Sequence, residues 1–317
     1  MAITIDIANT KGLVVDGVRV SFQEYLDAFE ANFTPEGYGQ FNESNGPYPA
    51  PYEGTEYITS EDAALSGDTS AQAVVANGDL SYNMTTHQLT GTIDEIEFGF
   101  GASEVSDDFQ FAVTDIVIGN LGITGSDVST VISGTMNGDP SALEAILAAN
   151  AIQFNGSDKG DIFTGSDFAD TIRGNHGSDV LYGGNGADRI NGGKAGDMLY
   201  GEGGNDSLVG DAGNDTLDGG RGLDRLNGGI GNDTLTGGSG SDTFVFDVAN
   251  FGVDTITDFA SNDIIRFATS LFDDFASVLG ATSTNGDGDA VISLGDNSIT
   301  LIDVAKADLV ADDFIFA

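Results

Sequence analysis

The chain has 317 residues, with ten Lys and Arg against 51 Asp and Glu and a formal net charge of −41. A negative charge of this size argues against nucleic acid and anionic membrane surfaces as partners, because both are themselves polyanionic. The chain has no cysteine, which excludes a disulfide framework and thiol chemistry.

The N-terminal sequence does not resemble a cleaved export signal. Residues 1–6 lack the basic segment and the apolar segment of a Sec-type signal peptide. No apolar run in the chain approaches the roughly 18 residues that a membrane span needs. We therefore expect no cleaved N-terminal signal and no membrane span.

Residues 1–153 show helical and strand patterns without any repeat, which predicts an α+β domain. Apolar residues at helical spacing predict a first helix over residues 21–30, and a second helix begins at Asp139-Pro140-Ser141, with Pro140 suited to its first turn. Strands are predicted over residues 73–75, 80–84, 88–100 and 109–118. The expected fold is an antiparallel sheet with helices on one side.

The chain has only two histidines, so each one is informative. His176 occupies a variable position of the repeats described below, where we expect a solvent-facing side chain. His87 follows Tyr82 by five residues, across a short loop between two predicted strands. Such a hairpin brings two side chains together, and ordinary packing or a hydrogen bond explains that pair as well as a binding site does.

The sequence around these two residues resembles the haemophores, the secreted haem acquisition proteins. Residues 77–82 and 87–99 are similar to the haem-binding loop and following strand of that family, and three further segments agree in the same order: residues 21–33, 54–58 and 136–144. The resemblance implies that the Tyr82 phenolate binds ferric haem iron and that His87 accepts its hydrogen bond. It also implies a surface haem receptor in the outer membrane as a partner.

A phenolate is a hard anionic donor that suits ferric iron, and a histidine that takes the phenol proton strengthens the donor. The loop between Tyr82 and His87 is shorter than the family leads us to expect. Many haemophores add an axial histidine after the first helix, and this chain has none there. Tyr38 falls near that position, either closing over the haem or packing on its neighbours.

Residues 156–245 repeat a nine-residue pattern ten times in constant register. The clearest copies, residues 183–191 and 228–236, read G-G-x-G-x-D-x-U-x, where U is apolar. Glycines let the backbone turn with positive φ and bring its carbonyls together, while the aspartate adds a carboxylate oxygen, so the set selects a hard cation such as calcium. The predicted calcium ligands are Asp161, Asp170, Asp179, Asp188, Asp197, Asp206, Asp215, Asp224, Asp233 and Asp242.

The eighth position is apolar in every copy, which predicts a short strand after each turn with one side chain directed inward. Two nonapeptides form one coil, so ten copies predict about five coils, with turns stacked in two ladders and about eight ions between them. A flexible Gly/Asp-rich linker, the alternative, predicts no fixed phase between glycine, aspartate and apolar positions. The repeats resemble the RTX family, which implies a calcium-binding parallel β-roll.

Some copies depart from the pattern. Ser157 and Ser166 replace the second glycine, Lys159 and Phe168 replace the third, and Ala195 replaces a glycine in the fifth copy. We expect weak or empty calcium sites at these turns.

Residues 246–317 are predicted to form further short strands that cap the last coil, since a solenoid needs a polar end. The terminal sequence Asp312-Asp313-Phe314-Ile315-Phe316-Ala317 resembles the uncleaved signal of proteins exported by type I secretion machinery. A last edge strand in the cap explains the same residues.

These patterns predict an extracellular haem-binding protein, with a haem domain over residues 1–153, a calcium roll over 154–245 and a cap over 246–317. A calcium-dependent surface or matrix protein that does not bind haem is the alternative. We do not expect an enzyme, because the chain contains neither H-E-x-x-H nor G-x-S-x-G and has no cysteine.

Overall fold

The computed structural model divides into two compact units, Met1–Ser157 and Asp158–Ala317. It describes residues 141–317 in full. Of the first 140 residues, it describes the backbone of residues 3–7, 14–15, 18–19, 40–41, 52–60, 72–83, 88–100, 103–104, 109–110 and 113–124, and the buried side chain of Ile96.

The described part of the N-terminal unit is a seven-stranded sheet. In spatial order its strands are Ile152–Asn155, Ile3–Ile7, Val113–Thr124, Gln88–Phe100, Gln72–Asn83, Tyr52–Ser60 and Gln40–Phe41. Neighbours pair antiparallel except Ile152–Asn155, which runs parallel to Ile3–Ile7. Two short antiparallel pairs also form, Val14–Val15 with Val18–Arg19 and Ser103–Glu104 with Phe109–Gln110.

Strand positions were largely predictable. Two predicted strands, residues 73–75 and 80–84, are parts of one strand, Gln72–Asn83, with a register shift between Asn77 and Leu80. The second helix is confirmed as Ser141–Ala148, which buries Leu143 and Leu147 and half-buries Ile146. The first predicted helix lies outside the described residues, so helices on one side of the sheet remain a prediction.

The C-terminal unit is a parallel β-roll whose inner face is the apolar ladder that the repeats predict. One sheet contains the strands Thr171–His176, Arg189–Lys194, Ser207–Ala212, Arg225–Asn227, Thr243–Phe246, Ile264–Phe267 and Phe314–Phe316. The facing sheet contains Ile162–Thr164, Val180–Tyr182, Met198–Tyr200, Thr216–Asp218, Thr234–Thr236, Val253–Ile256, Asn297–Leu301, Ala290–Leu294 and Thr282–Thr284. A third ladder follows the turns at Asn185–Gly186, Gly203–Gly204, Arg221–Gly222 and Ser239–Gly240.

Each strand of the repeats pairs with the strand 18 residues further along, so Ile172 faces Ile190 and Leu181 faces Leu199. All ten apolar side chains at the eighth position are at most 1 % exposed: Phe163, Ile172, Leu181, Ile190, Leu199, Leu208, Leu217, Leu226, Leu235 and Phe244. Each such side chain contributes roughly 1.5–3 kcal/mol by leaving water. The fixed phase of apolar, glycine and aspartate positions confirms the roll and rules out a linker.

The cap begins where the register changes from 18 to 21 residues, with Thr234 facing Thr255 and Thr243 facing Ile264. Phe251, close to that change, is fully buried and packs edge-on against Phe246 at 5.3 Å between ring centroids. The rest of the cap is the helix Phe275–Ala281, the hairpin Ala290–Leu294 with Asn297–Leu301, and the 3-10 turns Lys306–Asp308 and Ala311–Asp313. Within the described residues, no helix is both long and apolar enough to cross a membrane.

Candidate calcium-binding turns

The ten repeat aspartates are all buried, and they form two ladders, one along each line of turns. In each ladder, the backbone N–H of one aspartate donates to Oδ1 of the aspartate in the next coil. One ladder contains Asp161, Asp179, Asp197, Asp215, Asp233 and Asp254. The other contains Asp170, Asp188, Asp206, Asp224, Asp242 and Asp263. The rungs are hydrogen bonds of 2.6 to 3.0 Å.

The ladders are longer than the repeats, because Asp254 and Asp263 continue them into the cap. Both are buried, and their Oδ1 atoms accept from the N–H groups of Asp233 and Asp242. Sequence reasoning treated these residues only as parts of strands, because the step from Asp242 to Asp254 is 12 residues and breaks the period. The signal was the short motif from Gly252 to Thr257, which keeps G-x-D-x-U-x. Each ladder therefore has six members where the ten copies predicted five.

The second carboxylate oxygen of these aspartates has a different environment. In seven of them, Oδ2 is buried and has no hydrogen-bond partner: Asp188, Asp197, Asp206, Asp215, Asp224, Asp233 and Asp242. A buried acceptor without a donor costs about 1 to 3 kcal/mol, and more when it carries charge. A set of such atoms repeated along a ladder indicates that something other than the protein satisfies them.

Other oxygens approach the same positions. A Cβ added at Gly183 would lie 2.5 Å from Asp188 Oδ2 and 2.9 Å from the carbonyl oxygen of Gly201, one coil further on. The same test at Gly201 gives 2.5 Å to Asp206 Oδ2 and 2.5 Å to the Gly219 carbonyl. Glycine at the first position therefore leaves room for a carboxylate oxygen and a carbonyl oxygen from successive coils to face one point.

At the fourth position of several turns the backbone is left-handed, which favours glycine. Gly204 has a φ of 144°, and a Cβ there would overlap the carbonyl oxygen of Gly186 at 1.3 Å. Stacked turns can approach this closely only without side chains. The repeat glycines thus bring backbone carbonyls of neighbouring coils into contact with each turn.

Burial makes these carboxyls resist ionisation when no cation is present. Loss of hydration raises the pKa of Asp188 and Asp215 to about 7, and that of Asp197 and Asp206 to about 6, against an ordinary value of 3.8. The N–H donated to Oδ1 opposes the rise in each case, and neighbouring carboxylates add to it for Asp188, Asp206 and Asp215. A bound divalent cation would remove this penalty.

The donor set fits calcium. Carboxylate and carbonyl oxygens are the hard ligands that calcium takes in irregular arrangements of six to eight. In the stretch from residue 141 to 317 and the described strands before it, no three His, Asp or Glu side chains form a cluster suited to a metal. A calcium ion would therefore be held by one or two carboxylates together with backbone carbonyls of the turns, as the glycine spacing predicts.

In the second turn, the protein itself donates to the second carboxylate oxygen of the repeat aspartate. Ser166 donates its backbone N–H to Asp170 Oδ2 at 2.6 Å, and its hydroxyl lies 3.1 and 3.2 Å from the two carboxylate oxygens. The backbone N–H thus satisfies the oxygen that is unpartnered in later turns, and the serine hydroxyl adds a second contact that glycine could not make. This contact gives a physical reason to expect weak calcium binding at the second turn. The weak binding itself stays a prediction.

The haem-ligand predictions fall mainly outside the described residues. Tyr82 is the second-last residue of the strand Gln72–Asn83, and its backbone pairs with Leu89. His87 and Tyr38 are not among the described residues, so the pairing of Tyr82 with His87 stays a prediction. His176 is described: it is half-exposed, with Nδ1 3.1 Å from Asp158 and Nε2 2.9 Å from Lys194 Nζ.

Residues 155–244 match the model of the RTX calcium-binding nonapeptide repeat family in four overlapping copies, at residues 155–190, 182–217, 191–226 and 209–244. A search of curated proteins finds no match to the chain.

Three solved structures are similar in part. The holo hemophore HasA from Yersinia pestis is 21% identical over 47% of this chain and 89% of its own, with a TM-score of 0.38. The extracellular lipase LipA from Serratia marcescens is 21% identical over 53% and 40%, with a TM-score of 0.29. The AlgE6R3 subunit of the Azotobacter vinelandii mannuronan C5-epimerase is 29% identical over 51% and 81%, with a TM-score of 0.21.

With TM-scores below 0.5, these likenesses support no statement about this chain. The family match, by contrast, covers the same turns in which buried carboxylate oxygens and backbone carbonyls converge. Residues 155–244 of the chain are therefore calcium-binding repeats of the RTX family.

Proposed function

We propose that the chain is an extracellular protein whose C-terminal unit folds on binding calcium after export. The observation that carries this proposal is the row of buried, unpartnered Asp Oδ2 atoms along both ladders. In a calcium-poor cytosol these carboxylates repel one another, and the chain stays loose enough to be exported. Extracellular modules bind calcium at about 10⁻⁴ to 10⁻³ M, so folding follows export.

The export route in this proposal is a type I secretion machine. The terminal strand Phe314–Phe316 is the last strand of its sheet and pairs with Ile264–Phe267. An exported chain would present that segment to the machine before calcium folds the roll. Afterwards the same residues close the cap.

Calcium titration of the purified full chain tests the folding step. Circular dichroism should change from a largely unstructured spectrum in chelator to a strand spectrum at millimolar calcium. Magnesium at the same concentration should not replace calcium, because it demands octahedral geometry and gives up its waters reluctantly. An identical spectrum with and without chelator would show that the roll does not depend on the ion.

For the N-terminal unit, the proposed function is capture of ferric haem for iron acquisition. The proposal rests on the haemophore resemblance of residues 21–33, 54–58, 77–82, 87–99 and 136–144. Tyr82 would bind the iron, His87 would take the phenol proton, and Tyr38 would contact the opposite face. Delivery to an outer-membrane haem receptor belongs to the same proposal. A ligand at the end of a strand suits this role, since the sheet holds Tyr82 while the adjoining hairpin loop supplies its partner.

Adding haem to the full chain tests capture. We expect a Soret band that shifts on binding and is lost in Tyr82→Phe. Tyr182→Phe, the same change in a strand of the roll, is the matched control and should bind normally. If wild type shows no shift while calcium still folds the roll, the haem proposal fails and a calcium-dependent surface or matrix protein becomes the better account.

A further inference from the structure

The cap places an additional carboxylate against the last calcium-binding turn. Asp258 lies outside residues 155–244, yet its Oδ1 accepts the N–H of Gly237 at 2.8 Å and its Oδ2 accepts the N–H of Gly238 at 2.7 Å. Gly237 and Gly238 open the tenth repeat, whose aspartate is Asp242. Asp258 therefore holds the start of the last turn from the following coil.

The free oxygen of the last repeat points to the same glycine. Asp242 is 1 % exposed, and its Oδ2 has no hydrogen-bond partner. A Cβ added at Gly237 would lie 2.8 Å from that oxygen. The unpartnered oxygen of Asp242 and the carboxylate of Asp258 thus approach one residue from two successive coils.

Several carboxylates act on Asp242 at this end of the roll. Burial raises the pKa of Asp242 to about 6, and Asp224, Asp263 and Asp258 all add to the rise. Asp258 also raises the pKa of Asp218, though less than burial does. The carboxylate of Asp263 is held in place next to Asp242, because its two oxygens accept the N–H groups of Asp242 and Ala260.

We propose that the cap completes a divalent-cation site at the last turn, in which Asp242 Oδ2 and the carboxylate of Asp258 are ligands and Asp263 positions Asp242. A carboxylate oxygen that already accepts one N–H keeps a lone pair for a metal. Two carboxylates give this site more negative charge than a turn that faces one carboxylate and a backbone carbonyl. It should therefore take calcium at lower concentration than the middle of the roll.

This inference rests on the proposed calcium-dependent folding and extends it to the cap. The variant Asp258→Asn removes one charge but keeps an oxygen that can accept an N–H. Asp296→Asn is the matched control, because Asp296 is an exposed acid in the turn between two cap strands. Both variants are made in the full chain, and calcium alone is the probe.

Isothermal titration calorimetry of the full chain should show that Asp258→Asn loses one calcium per chain, or that its first binding phase weakens about tenfold. Asp296→Asn should match wild type. A crystal structure grown in calcium should place an ion between Asp242 and Asp258 in wild type and in the control alone. An unchanged stoichiometry and affinity in Asp258→Asn, or no ion at this place, would mean that Asp258 only caps two amides.

The two proposals fail in different ways. If Asp258→Asn binds as wild type does and calcium still folds the roll, only the cap site is wrong. If wild type binds no calcium, the folding proposal is wrong and the cap site falls with it.

Discussion

Replacing Asp206 by Asn should move stability in opposite directions with and without calcium. Asp206 is buried, and its Oδ1 accepts the N–H of Asp188. Its Oδ2 has no donor and lies 2.5 Å from the Cβ position of Gly201, as does the Gly219 carbonyl oxygen. Asparagine keeps the first contact, since its carbonyl oxygen can accept the same N–H. Its amide can donate to the Gly219 carbonyl where the carboxylate only repels it.

The size of the effect follows from the pKa. Burial, with a contribution from Asp224, raises the pKa of Asp206 from 3.8 to about 6, and a difference of one pH unit is about 1.4 kcal/mol. Ionised Asp206 therefore destabilises the calcium-free fold by about 3 kcal/mol at pH 7.5. Asp206→Asn should recover about 1 to 3 kcal/mol in chelator. In calcium it should raise the midpoint of the folding titration about tenfold, the equivalent of 1.4 kcal/mol.

Urea unfolding of the full chain, followed by circular dichroism, measures both effects. The chelator series needs trimethylamine oxide, which favours the compact state and makes a weakly folded roll measurable. Asp296→Asn, which removes the same charge from the surface, should change neither quantity by more than about 0.5 kcal/mol. The reasoning is refuted if Asp206→Asn destabilises the roll in chelator, or if it leaves the calcium midpoint unchanged.

In chelator, the free energy of unfolding should rise as pH falls from 8 towards 4. The pKa values of Asp188 and Asp215 are raised to about 7, so the folded roll binds protons more tightly than the unfolded chain. The stability gained from protonation is complete below pH 3.8, the ordinary pKa of the carboxyl, and is lost as pH rises through 7. Saturating calcium should reverse this slope, and a denaturant series at several pH values decides. Ser166→Gly should cost about 1 kcal/mol in chelator by removing a hydroxyl contact to its aspartate, and calorimetry should show one more calcium bound per chain. An unchanged calcium count would contradict the second part. Gly183→Ala should destabilise the calcium-bound roll by about 2 kcal/mol or more, because its Cβ would lie 2.5 Å from a carboxylate oxygen, whereas Gly286→Ala, with nothing within 4 Å, should be close to neutral in thermal unfolding.

Periodicity made the roll predictable from sequence. A fixed nine-residue phase assigns each position one environment, so the burial of residues such as Leu199 and Asp197 follows from a single copy. The coil count was less predictable, because the extra residues before Asp254 place Phe251 in the core and shift the register to 21. Beyond these extra residues the nine-residue spacing resumes, and Asp254 and Asp263 join the two ladders.

Contacts made by departures from the pattern were also out of reach. In the sequence, Ser166 is only a departure from the glycine of the repeat, whereas in the structure its hydroxyl and its backbone N–H are donors to Asp170. The sequence predicts Asp258 only as part of a strand, and the register change of the cap is what places it against Gly237. Helix and strand patterns in the first half predicted strand positions well. They carry no information on which loop side chains meet.

The ladder geometry implies that calcium sites along one line of turns are coupled. In the middle of a ladder, an aspartate uses Oδ1 to hold the backbone of the coil before it, and its Oδ2 lies near a carbonyl of the coil after it, as Asp206 does between Asp188 and Gly219. An ion that fixes one carboxylate therefore also orders the N–H of the preceding turn and the carbonyl of the following one. Each coil contacts its neighbours alone, so the ordering propagates coil by coil, as in other solenoids. An end where the cap supplies a second carboxylate is the place from which such folding would begin.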